Sequence, residues 1–117
     1  MIKVRLISFC HGRSGDKGDA ANVGIIAYNK DGYEYIANLL SEKFVKDYYK
    51  DICHGSVERY ELPNIYALNF ILNKTLGGGG TVSLKLDAQG KTLAAALLKL
   101  QVEVTEEQLK KFTIGKE

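Results

Sequence analysis

A chain of 117 residues, 45% hydrophobic and 26% charged, has the size and composition of one globular domain that buries its own core without disulfide or metal staples. Its net charge is only +2, with lysine and arginine interleaved among aspartate and glutamate, which excludes the clustered basic face that nucleic-acid backbones require. No apolar run approaches the roughly 18 residues of a membrane span, Lys3 and Arg5 interrupt the first apolar stretch, and two cysteines are too few for a secreted disulfide framework, so a cytoplasmic chain with no membrane contact is expected.

Ile2 to Phe9 alternates with period two and predicts a first strand. Val23 to Tyr28 is β-branched and nearly continuously apolar, which predicts a second, more central one. Between them, Cys10 to Gly24 reads as a long loop in which four glycines space Arg13, Ser14, Asp16, Lys17, Asp19 and Asn22. Antiparallel strands need only about two to five linking residues, so a connection this long and this rich in glycine points to site chemistry, with several backbone N–H groups free to aim at one ligand.

Asn29-Lys30-Asp31-Gly32 predicts a turn that stops the second strand. Apolar residues at threes and fours from Tyr33 to Ile52 predict helix, divided at Ser41, which has the character of an N-cap ahead of a helix over Glu42 to Asp51. Gly55 closes that segment. Ser56 to Leu62 alternates again as a third strand, Pro63 suits the first position of a helix, and Asn64 to Leu76 is expected to be that helix, deeply packed. The glycine run 77 to 80 ends it before a fourth strand, Thr81 to Leu86, so a right-handed crossover to a parallel strand is expected. Asp87 to Gly90 reads as a turn, Lys91 to Lys99 as a helix, Gln101 to Val104 as a short edge strand, and Thr105 as the cap of one more helical turn. The fold class is α+β, a mixed sheet of about four strands with helices packed on one face.

Cys10-His11 and Cys53-His54 hold the right atoms for tetrahedral zinc, but adjacent residues of an extended segment point to opposite sides, so no metal and no other cofactor is expected. Gly90-Lys91-Thr92 lacks the earlier glycine of a phosphate-binding loop, because that position is Lys85. Gly78 and Gly79, inside the run between predicted helix and strand, could present N–H groups to an anion. Arg59, Tyr60, Glu61, Asn64 and Asn69 are polar where packing alone would choose apolar residues, so they are expected to bond one another or the first loop, for instance as an ion pair of Arg59 with Asp16 or Asp19.

Taken together, Arg13-Ser14-Gly15-Asp16-Lys17-Gly18-Asp19 with Asn22-Val23-Gly24, Val57 to Asn64 leading to Ala67-Leu68-Asn69-Phe70, and the glycine run followed by Ser83 to Lys91 resemble the C-terminal domain of the acyclic terpene utilisation (AtuA) family, over about Ser8 to Val104. The resemblance implies a ferredoxin-like α+β domain, which in the family usually follows a much larger N-terminal domain and belongs to bacterial pathways that degrade branched acyclic acids as coenzyme A thioesters. Residues 1–117 hold one domain of this C-terminal type. The two Cys-His pairs fall outside the matching motifs.

The leading functional expectation is an accessory subunit that works with a large AtuA-like partner and lends its polar loop to a shared site. Arg13 and Lys17 would hold an anionic acid or acyl-CoA group, Asp16 or Asp19 would orient it or move a proton, and Ser14, Asn22, Arg59, Asn69, Gly78 and Gly79 would complete the binding set. The alternative is a non-catalytic oligomerisation or assembly module, and a free-standing small enzyme is the third reading. A homo-oligomer, most simply a dimer, is expected from sheet edges that nothing evident covers.

Overall fold

The computed structural model of the chain describes residues 1–17, 20–50, 53, 55–74 and 93–115, and of Asp16 and Lys17 only the backbone. The N-terminal alternating run is split. Strand β1 covers Ile2–Arg5, a 3-10 turn follows over Leu6–Ser8, and strand β2 runs Cys10–Lys17. The break turns Leu6 and Phe9 fully into the core, and each such side chain contributes roughly 1.5–3 kcal/mol of burial.

Strand β2 pairs antiparallel with β3, Ala20–Ala27, in an unbroken register from Cys10↔Ala27 to Lys17↔Ala20. The polar glycine segment is therefore one arm of a hairpin and not a loop. The ladder engages the N–H and C=O groups that point toward β3, so the backbone of this segment is committed to a strand and does not converge on one point.

Asn29 does not end in a turn. It caps helix α1, Lys30–Leu39, by accepting the Gly32 N–H at 2.9 Å, so Lys30, Asp31 and Gly32 form the first helical turn. Ser41 caps α2, Glu42–Tyr48, in the same way through the Phe44 N–H at 3.0 Å, as expected from the sequence. Strand β4, Val57–Leu62, is followed by a 3-10 turn, Pro63–Ile65, and then by strand β5, Ala67–Leu72.

This turn and strand replace the helix expected over 64–76. Tyr66, at φ 57°, sits in the left-handed region and reverses the chain, and an apolar run buried in a central strand carries no periodicity that separates it from a buried helix. The strand expected over 81–86, with its glycine run and following turn, lies outside the described residues. Helix α3, residues 93–98, falls inside the helix expected there. Strand β6, Gln101–Val104, pairs with β1 in a separate two-stranded sheet, and helix α4, Glu106–Phe112, opens on a capping box between Thr105 and Gln108.

The main sheet has the order β2-β3-β5-β4, and every pairing among the described residues is antiparallel, where a mixed sheet was expected. One face carries Val23, Ile25 and Phe70 into a cluster shared with Ile36 of α1, Val45 of α2, Leu97 of α3 and Phe112 of α4. Helix α3 approaches β2 at Gly12, where a methyl group would meet the Gly24 carbonyl oxygen at 3.0 Å and Ala94 Cβ at 3.2 Å. The helices thus cover one side of the sheet, as expected for this α+β class. Among the described residues no helix is long and apolar enough to cross a membrane.

Candidate functional site

Directly paired residues share a face of a sheet, so the register writes the face that no described helix covers, the uncovered face, as a set of rows. One row crosses all four strands as Arg13, Gly24, Asn69 and Tyr60. On one side of it runs the row Gly15, Asn22, Ile71 and Glu58, and on the other the row His11, Ile26, Ala67 and Leu62. Gly24 therefore has Arg13 and Asn69 beside it and Asn22 and Ile26 before and after it along β3. A residue without a side chain in the middle of that frame leaves a notch.

Three polar side chains border the notch, and none of them is used by the fold. Among the described residues, no hydrogen bond or ion pair engages the side chain of Arg13, Asn22 or Asn69. Other polar groups of the same sheet are paired: the Tyr60 hydroxyl donates to Glu58 Oε1 at 2.8 Å, and Asn73 Nδ2 donates to Glu58 Oε2 at 2.9 Å. These bonds hold the Glu58 carboxyl below its usual range and push the Tyr60 phenol above its own. Asn22 and Asn69 are half-buried and Arg13 is exposed, which leaves a guanidinium and two amides facing outward with no partner among the described residues.

The notch opens into a cavity of about 380 Å³ whose remaining wall is apolar, formed by Ile26, Leu62, Ile65 and Ala67. Leu62 and Ile65 are 43% and 56% exposed, high values for residues of their kind in a folded domain. A cation and two amides at one end and aliphatic side chains at the other can hold an amphipathic acid by its two ends. A larger depression of about 650 Å³ at the edge of β4 is lined by Ser41, Glu42, Arg59, Tyr60 and Glu61, and each of these side chains makes at least one bond within the fold. Arg59 Nη2 donates to the Ala37 carbonyl at 2.9 Å and pairs with Glu61 Oε2 at 3.1 Å.

The residues selected from the sequence thus divide between the two faces. Arg13, Asn22 and Asn69 meet on the uncovered face. Ser14 and Arg59 lie in the register of Val23 and Phe70 on the covered one, where Ser14 Oγ and Arg59 Nε are buried and have no hydrogen-bond partner among the described residues. The carboxylate that pairs with Arg59 is Glu61, its neighbour on the same strand and face. Asn69, expected to be bonded inside a packed helix, stands on a strand with its amide free. Asp16 and Lys17 take backbone positions opposite Ala21 and Ala20, and Asp19, Gly78 and Gly79 lie outside the described residues.

The two cysteines are buried free thiols. Burial pushes the Cys10 thiol up to about 12, and Cys53 Sγ donates to the Asn73 and Gly55 carbonyls at 3.5 and 3.6 Å. His11 faces the side opposite Cys10 and stacks on Tyr28, with ring centroids 5.4 Å apart. Among the described residues no group of three or more His, Cys, Asp or Glu side chains is placed to hold a metal ion. Sequence reading alone missed Gly24 and the apolar wall, since Ile26 looks like an ordinary core position of a strand and Ala67 fell inside the helix expected over Asn64 to Leu76.

Comparison with known proteins adds one match: the family model described as the AtuA ferredoxin-like domain fits residues 4–103. No curated protein and no solved structure gives a match.

Proposed function

Because the chain belongs to the AtuA ferredoxin-like domain family, we propose that it is an accessory acid-binding domain of an AtuA-like enzyme system, acting in the breakdown of branched acyclic acids or their coenzyme A thioesters. The observation that carries this reading is the set of unpartnered side chains of Arg13, Asn22 and Asn69 at one end of an otherwise aliphatic cavity. Arg13 supplies charge and a forked donor for a carboxylate or thioester oxygen. The two amides fix its orientation, and Ile26, Leu62, Ile65 and Ala67 accept a branched hydrocarbon tail. Among the described residues the site is open on one side, which supports a role shared with a larger AtuA-like subunit that would close it and supply the chemistry.

Chemical-shift titration of the labelled protein with isovalerate tests the binding role. Shifts confined to β3, β5 and the Arg13 region, and lost in Arg13→Ala, are the expected result. Shifts scattered over the surface, or unchanged in Arg13→Ala, would refute it.

A second reading, a homo-oligomeric assembly module, is favoured by the exposure of Tyr60, Leu62 and Ile65 beside the same cavity. Light scattering at tens of micromolar separates it from the first, since a 12.9 kDa species would rule out self-association through this face.

A further inference from the structure

Gly24 occupies the middle of a central strand, where glycine forfeits both β propensity and side-chain packing. Nothing among the described residues requires it. Its φ lies outside the left-handed region, and a methyl group at this position would meet only the Arg13 carbonyl oxygen at 3.7 Å, Asn69 Oδ1 at 3.7 Å and the Leu68 carbonyl oxygen at 4.0 Å, all ordinary contacts. Gly12, in the neighbouring strand, is the opposite case, because an added methyl there would sit 3.0 to 3.3 Å from the Gly24 carbonyl oxygen and from side chains of α3, tighter than ordinary contact. A glycine that neither backbone geometry nor packing demands, framed by three unpartnered polar side chains, marks a place where something else comes close to the chain.

We propose that Gly24 is the seat of the ligand's head group: a planar carboxylate or thioester lies flat on the Gly24 peptide, between Arg13 and Asn69, with its tail running along β3 toward Ile26. This rests on the acid-binding reading above and adds a position and a direction to it. Successive same-face positions of a strand are about 6.7 Å apart, so a head group over Gly24 places the first few carbons of its tail over Ile26 and Ala67. The other end points past Asn22 toward the tip of the hairpin, so a thioester would carry its coenzyme off the sheet in that direction.

The test compares isovalerate titrations of the unmodified protein, Gly24→Ala, Gly15→Ala and Arg13→Ala, together with their melting temperatures. Gly15 shares the face with Gly24, but a methyl group added there meets nothing within 4 Å. Gly24→Ala is expected to melt at or above the temperature of the unmodified protein and to bind isovalerate about tenfold more weakly or worse, while Gly15→Ala binds as before. Equal affinities of Gly24→Ala and the unmodified protein, with binding still lost in Arg13→Ala, would overturn the seat and leave the acid-binding reading standing. Gly24→Ala melting several degrees lower would show the glycine to be structural and would also overturn the seat. Failure of the unmodified protein to bind isovalerate would remove the acid-binding reading and this inference with it.

Discussion

The carboxylate of Glu42, in the first turn of α2, accepts the backbone N–H of Arg59 at 3.1 Å from the edge of β4. An edge strand offers unpaired N–H groups to any passing strand, and here a side chain from the neighbouring helix occupies one of them. Glu42→Ala should cost about 1 kcal/mol and speed hydrogen exchange at the Arg59 amide, whereas Glu42→Gln, which keeps an acceptor oxygen, should leave that amide protected. Exchange measured by NMR on the two variants decides the matter.

Asn29 ties the start of α1 to the end of α4. Its Oδ1 caps α1, and its Nδ2 donates to the carbonyls of Lys111 and Ile114 at 2.7 and 2.8 Å, at the end of α4 and just beyond it. Aspartate is as good a cap as asparagine but would set a carboxylate against those two carbonyls. Asn29→Asp is therefore expected to lose about as much stability as Asn29→Ala, on the order of 1–3 kcal/mol by urea denaturation.

Gly12 lets α3 rest on the sheet. Gly12→Ala pushes a methyl into the Gly24 carbonyl, Ala94 and Leu98 at 3.0 to 3.3 Å, so thermal melting should show a loss of about 1–3 kcal/mol.

Asn69 is half-buried without a partner, so leucine there removes an unused polar group and adds apolar contact with its neighbours Ala67 and Ile71. Asn69→Leu should hold or raise the melting temperature while abolishing the isovalerate response. A clear loss of stability would mean that the amide has a structural partner after all.

The Cys10 thiol, pushed up to about 12 from 9.0 by burial, stays neutral in the folded chain over a range of pH in which the unfolded chain ionises it. Its contribution is intact below the unfolded value and drains away as pH rises from about 9 to about 12, at up to about 1.4 kcal/mol per pH unit. Tyr49, also raised by burial, adds to the same alkaline loss at the upper end. Denaturation curves should show Cys10→Ala less stable at neutral pH but losing less between pH 9 and 11; parallel losses in both proteins would contradict the assignment to Cys10.

The helix starts at Ser41 and Thr105 were legible because a cap is a local device, read within four residues. Strand β5 was not, because Leu68, Phe70 and Leu72 face the helices while Ala67 and Ile71 put apolar side chains on the opposite face as well, so the sequence shows a nearly continuous apolar run in place of an alternation. Strand β2 was obscured for the opposite reason. Glycines 12 and 15 fall on different faces and leave too few side chains to show a period of two. Arg13, Asn22 and Asn69 could be picked out as polar residues that packing does not explain, but their meeting depends on pairings between distant segments that composition does not reveal. For the same reason the sequence could not tell that Ser14 and Arg59 point the other way.

Strand alternation makes the composition of the Arg13 face a matter of counting. Arg13 looks outward and Ser14 inward only because β2 keeps its step with β3, so one residue added between Gly12 and Arg13 would exchange every later side chain of the strand between solvent and core. A guanidinium would be driven beneath the helices and a serine left at the notch. Hairpins of this family that vary in length should therefore do so in pairs of residues, and a relative that gained a single one should carry a bulge in β2 to restore the phase.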